Sequence, residues 1–247
     1  MIRKLCILTL VLGILFALAM LMTNCSSNNK GDDDSSTGDD DTTNNLDISI
    51  CDPSKSGFTV DITNPFFPLA PNEKWVLQGQ EGGAMIRVEI TGLDQTQVIA
   101  GVTTRIREER EFSDDVLFEI SHNYFVQTAD GTVCYYGENV DEYDADGNIT
   151  GHSGTWIAGE SNNKPGIQMP AHPAVGMSYD MEFAPGVAQD HGEVSSMGDS
   201  ITVPFGTFTD TLTVIETSAL ESGQSPKQYA KGIGILSDEV YLLISHE

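Results

Sequence analysis

Four groups of residues have types and spacings that bear on chemistry. The first is Gly151-His152-Ser153-Gly154-Thr155. A nucleophile elbow needs G-x-S-x-G between a strand and a helix, so that the serine sits exposed on a strained turn. Here the second glycine comes one place early and no helical pattern follows, so a flexible β-turn is a better account than a serine hydrolase built on Ser153. The second is Glu142-Tyr143-Asp144-Ala145-Asp146-Gly147. Aligned as a calcium loop with Gly147 in sixth place, it has Ser153 in twelfth, so the bidentate carboxylate is missing and a hairpin turn is the plainer reading. The third is the histidines, none of them at H-x-H or H-x-x-x-H spacing. His172 and His191 share one stretch with Met169, Met177 and Met181, a donor set that suits copper, although scattered surface and core residues explain it more simply. The fourth is His122, polar on an otherwise apolar strand face: a satisfied core histidine or a residue lining a cavity. Glycine loops of the phosphate-binding kinds are absent, and no metal or cofactor is expected.

The elements that must position these residues are strands. From Phe58 onward no helical period stands out, whereas alternation of two recurs. Ala84, Ile86, Val88 and Ile90 share one face, with Arg87, Glu89 and Thr91 on the other. Val116, Phe118, Ile120, Tyr124 and Val126 form an apolar face opposite Glu119, Ser121, Asn123 and Gln127, and Tyr179, Met181 and Phe183 and then Ile201, Val203 and Phe205 repeat the pattern. Further strands read at 74–80, 103–112, 212–216, 228–236 and 240–245. Ala129-Asp130-Gly131 and Ala145-Asp146-Gly147 are hairpin turns. The fold class is therefore all-β: a single antiparallel meander over 58–247, curled into a barrel, half-barrel or sandwich with its apolar alternation facing inward.

What precedes this domain is of another kind. Arg3 and Lys4 open the chain, Leu5 to Met22 is apolar apart from Thr9, and the sequence then turns polar, as an export signal does. Leu21-Met22-Thr23-Asn24-Cys25 resembles the lipobox of bacterial lipoproteins, which implies a signal peptide over 1–24 and a diacylglycerol (with palmitate) on Cys25. Cleavage after Ala17-Leu18-Ala19 and retention of the helix as an anchor are the competing readings. Residues 25–57 read as a disordered linker with two Asp triplets. Cys51 and Cys134 then remain, an even pair that suggests one disulfide in an oxidising compartment, the alternative being two reduced thiols. The chain carries 37 acidic against 12 basic residues, a formal net charge of −25. Such a field repels nucleic acid and anionic headgroups, so the expected membrane contact is the lipid itself.

Several segments together resemble an uncharacterised family of bacterial secreted and lipoprotein β domains. They are Asn64-Pro65-Phe66-Phe67-Pro68-Leu69 with Trp75, Tyr124-Phe125-Val126-Gln127 leading to Tyr135-Tyr136-Gly137-Glu138, and Gly154-Thr155-Trp156 with Ala158-Gly159. Pro165-Gly166-Ile167, Met169-Pro170-Ala171, Val203-Pro204-Phe205-Gly206-Thr207-Phe208 and Tyr229-Ala230-Lys231-Gly232-Ile233-Gly234-Ile235 follow in order. The resemblance implies an antiparallel β domain in the periplasm or at the cell surface, with no known reaction and no catalytic residues to carry across. That family often has an aromatic residue where Cys134 stands, which favours a bridge to Cys51 particular to a subgroup, and an aspartate where His122 stands. Ser26 after Cys25 resembles the outer-membrane sorting pattern. The expected protein is a non-enzymatic envelope lipoprotein that binds a small molecule, a lipid sheltered in a cavity, or a protein, or that serves structurally.

Overall fold

The computed structural model describes residues 45–247; the segment read as a signal peptide, Cys25 and the stretch read as a linker up to residue 44 lie outside the described residues. The described part is all-β, 64% strand and 2% helix, as the alternation requires. It opens with β1 (Asn45–Leu46), a 3-10 turn (Ile48–Cys51), and a small hairpin of β2 (Ile62–Asn64) and β3 (Phe67–Leu69). A meander follows: β4 (Lys74–Glu81), β5 (Ala84–Ile99), β6 (Val102–Ser113), β7 (Val116–Gln127) and β8 (Val133–Tyr143). Short strands come next: β9 (Ile149–Gly151), β10 (Trp156–Ile157), β11 (Lys164–Met169), β12 (Ser178–Asp180) and β13 (Glu182–Phe183). A second meander closes the chain: β14 (Asp190–Val203), β15 (Gly206–Ser218), β16 (Ser225–Ala230), β17 (Gly234–Asp238) and β18 (Tyr241–His246).

All but β2 and β3 join one sheet, in the order β1-β12-β14-β15-β16-β17-β18-β4-β5-β6-β7-β8-β11-β13, with β9 and β10 also on β8. The two meanders meet where β18 pairs with β4. Pairing is antiparallel except between β1 and β12, and the described strands do not form a closed barrel. The sheet is nonetheless strongly coiled. From β17 to β8 a flat sheet would run six steps of about 4.8 Å, or about 29 Å. Yet the short β2–β3 hairpin bonds to both places: the Gly232 N–H donates to Pro65 O at 2.7 Å, and Asn64 Nδ2 donates to Gly131 O and Pro170 O at 2.9 Å each.

Three expectations are corrected. The stretch 228–236 is two strands, because residues 231–233 turn the chain between β16 and β17. Residues 45–57, read as the end of a disordered linker, carry β1 and the 3-10 turn, and Cys51 forms a disulfide with Cys134 across 5.6 Å between Cα atoms. Tyr136 OH donates to Cys51 O at 2.7 Å, so this segment covers the outer side of β8. Finally, β7 turns its polar side inward: Ser121 and Asn123 are 3% exposed, whereas Val116 is 47% exposed and the His122 side chain 35%. Register fixes this, because Ile90 opposes Glu109 and Glu109 opposes Ser121, so both face the same way as the core residue Ile90.

Candidate functional site

The inner face of β6 carries Arg107, Glu109 and Glu111, set opposite Asn123, Ser121 and Glu119 of β7. Tyr135 OH donates to Asn123 Oδ1 at 2.6 Å, and Asn123 Nδ2 donates to Ser121 Oγ at 3.0 Å. The Arg107 guanidinium pairs with Glu109 and lies 4.9 Å from the Phe125 ring centre and 5.0 Å from that of Phe67. Glu138 joins this wall through a bulge. Phe125 pairs with Tyr135, but Tyr124 pairs with Gly137, so Tyr136 is an extra residue and the side-chain alternation slips by one. Gly137 allows it: φ is +146°, and a Cβ there would stand 2.7 Å from Trp156 O. Tyr135 and Glu138 therefore share the inner face, with Asn123 directly opposite Glu138.

The second wall is β12 with β14 to β17. Val214 opposes Lys227, which opposes Asp238, and Glu216 opposes Ser225. Lys227 Nζ lies 2.9 Å from Glu216 Oε2 and 3.6 Å from Asp238 Oδ2. Tyr179 lies across Gly192, where a Cβ would meet its ring at 2.8 Å, and its hydroxyl feels the charges of Tyr229, Glu216 and Lys227. Beside them Glu182 Oε1 accepts the Asp190 N–H at 2.8 Å.

These walls face one another. The Tyr135 hydroxyl is raised well above its ordinary range by burial and by the charges of Glu138 and of Glu182, which the pairing of β13 on β11 places beside β8. Arg107, on the first wall, acts on Tyr229, on the second. Burial, with Glu109 and Glu119, pushes the Glu138 carboxyl well up, and burial with Asp190 beside it raises Glu182 to about 8. Burial is the largest single influence on the Glu216 carboxylate and works against it, but the interactions that favour the charge, Lys227 first among them, together hold the group down at about 2. An environment that separates like groups in this way is characteristic of functional sites. Several buried atoms also lack a hydrogen-bond partner: Glu138 Oε2, Tyr179 OH, Ser225 Oγ, Trp156 Nε1 and Arg107 Nε. Each such atom costs roughly 1–3 kcal/mol unless a ligand or water meets it.

The residues singled out by sequence fall elsewhere. His122 lies on the outer face beside Glu108, 3.2 Å away, and not in the interior. Met169 and Met181 are core residues and His172 is exposed. His191 pairs with Asp180 at 2.9 Å. Among the described residues no three His, Cys, Asp or Glu side chains are grouped to hold a metal ion. Ser153 is exposed on a turn, and the Asp144 carboxylate is occupied by the N–H groups of Asp146 and Asn148 within the β8–β9 hairpin. The interior set had one readable signal. Arg107, Glu109 and Glu111 alternate on one predicted strand, as Glu119, Ser121 and Asn123 do on the next, giving adjacent polar faces. Comparison with models of protein families, with curated proteins and with solved structures finds no match to this chain.

Proposed function

We propose that this chain is a bacterial envelope lipoprotein, held by lipid on Cys25, whose β domain is a non-enzymatic binding module. Its ligand sits inside the coiled sheet, which we read as a half-barrel stoppered at one end by the β2–β3 hairpin. The observation that carries this reading is the polar interior, where Glu138 on one wall and Tyr179 and Ser225 on the other each keep a buried atom without a hydrogen-bond partner among the described residues. A purely structural interior of this size would be filled with apolar side chains or fully paired polar ones. The same polarity speaks against a sheltered lipid, since methylenes offer Glu138 and Tyr179 nothing to bond. The copper reading has only the Asp180-paired His191 and the exposed His172 to draw on.

Native mass spectrometry on the full-length protein, released gently from its own membranes, tests the binding role. The expected result is a bound small molecule that is lost on unfolding. A spectrum without any adduct, together with no stabilisation by a broad library of polar metabolites, would remove it. The anchor has a separate test: the mature N-terminus is expected to be an acylated Cys25, and a free Met20 would end that part.

A further inference from the structure

We propose that the interior takes an organic cation, a ligand with a primary ammonium group on an apolar or aromatic body. This rests on the reading of the interior as a binding site. Among the described residues its carboxylates outnumber its cations. Arg107 is engaged by Glu109, and Lys227 by Glu216 and Asp238, whereas Glu138 and Glu182 have no basic partner among the described residues. Glu138 is 2% exposed and its Oε2 meets no donor, although Asn123, Trp156 and Tyr135 surround it. Lys227 already shows how this interior holds an ammonium, with two carboxylates from neighbouring strands at 2.9 and 3.6 Å. A second ammonium brings three donors, and among the described residues Glu138 Oε2 on one wall and the Tyr179 hydroxyl on the other are buried acceptors without a hydrogen-bond partner.

The walls also suit the body of such a ligand. Tyr135 stacks on Phe125 at 4.9 Å between ring centres, and Trp156 meets Tyr135 edge-on at 5.2 Å. Aromatic faces beside a carboxylate attract an organic cation through both charge and ring quadrupole. A divalent metal is a poorer fit, because it needs several oxygens converging on one point at about 2.0–2.6 Å. Among the described residues the carboxylates do not cluster in that way. An anion would meet the acidic walls directly.

Calorimetry on the detergent-solubilised full-length protein tests this, with phenethylamine and spermidine as probes and phenethyl alcohol, phenylacetate and calcium chloride as counterparts. The expected result is saturable binding of an amine, weakened at least tenfold by Glu138→Gln and severalfold by Tyr179→Phe, with His122→Ala unchanged. Equal or tighter binding of the alcohol, phenylacetate or calcium, lost in Glu138→Gln, overturns the cation class and leaves the binding module standing. Amine binding that survives both substitutions overturns the assignment to this site. No saturable binding of either amine overturns the proposal, and the module itself falls only if native mass spectrometry also finds no adduct. Should Glu138→Gln fail to fold by circular dichroism, Tyr179→Phe decides, because it removes a single unpartnered hydroxyl.

Discussion

The stoppered end of the sheet and the acidic interior above it are built from similar polar residue types and satisfied very differently. At the stopper, Gln127 Oε1 accepts both Thr63 and Asn64 N–H groups at 2.9 Å, and Asn64 Oδ1 accepts Phe66 N–H at 2.9 Å. Trp75 Nε1 donates to Ile233 O at 2.6 Å. Residues from Asn64 to Leu69, Trp75, Gln127, Pro170 and Gly232 meet here, and their hydrogen bonds account for them as structure. In the interior the buried groups are left incomplete at Glu138, Tyr179 and Ser225. Satisfied burial stabilises a fold, while incomplete burial costs stability and persists where something else completes it.

The contrast can be broken most severely from its outer tie. Cys134→Ser removes a link spanning 83 residues, and the chain-entropy model puts its contribution at about 4 kcal/mol. Denaturant unfolding with and without reductant should show that loss. Asn64→Leu comes next. It leaves Gly131 O, Pro170 O and Phe66 N–H without their partner, so a loss of roughly 3 kcal/mol is expected in the same measurement. If the stopper is incidental, that variant unfolds like the wild type.

The interior should respond to pH. Glu182 ionises near 8 in the folded chain against an ordinary 4.5, so between those values the folded state holds a proton that the unfolded state has lost. Stability from this group therefore falls as pH rises from about 4.5 through 8, by an amount on the order of a few kcal/mol. Glu216 works in the opposite sense, its contribution being present above 4.5 and lost as pH falls well below it. Unfolding midpoints at pH 5 and pH 8 should thus favour pH 5, and Glu182→Gln should flatten the difference. An unchanged slope in that variant would mean that Glu182 is ionised at neutral pH. The smallest effects are the sharpest for the comparison. Glu138→Gln should change unfolding free energy by less than about 1 kcal/mol, since burial already disfavours the charge, the amide keeps the side chain's shape and Oε2 has no hydrogen-bond partner to lose, and His122→Ala by about 0.5 kcal/mol or less. A large loss in Glu138→Gln would place that residue with the stopper, as structure.

Much of the framework is legible in the residues. The hairpin turns at 129–131 and 145–147, most strands of the two meanders and the pairing of Cys51 with Cys134 follow from local chemistry or from elimination, whereas 133–143 and 190–200 give no strand reading and 228–236 reads as one strand in place of two. The candidate site was not read. Alternation along β7 says that Ser121 and Asn123 share a face and that Ile120 and His122 share the other, but a period of two carries no sign. Apolar-in is the usual choice, and here it is reversed.

By itself, then, the sequence settles that the chain is a β protein of short-range turns, because φ/ψ preferences and two-residue periodicity are local. Which face turns inward, where β8 bulges and which carboxylates meet depend on how far the sheet coils. Arg107 and Tyr229 stand 122 positions apart. Only the closure of β18 on β4 and the curvature set by the β2–β3 stopper bring them together, since electrostatic coupling and hydrogen bonding depend on distance in space and not along the chain.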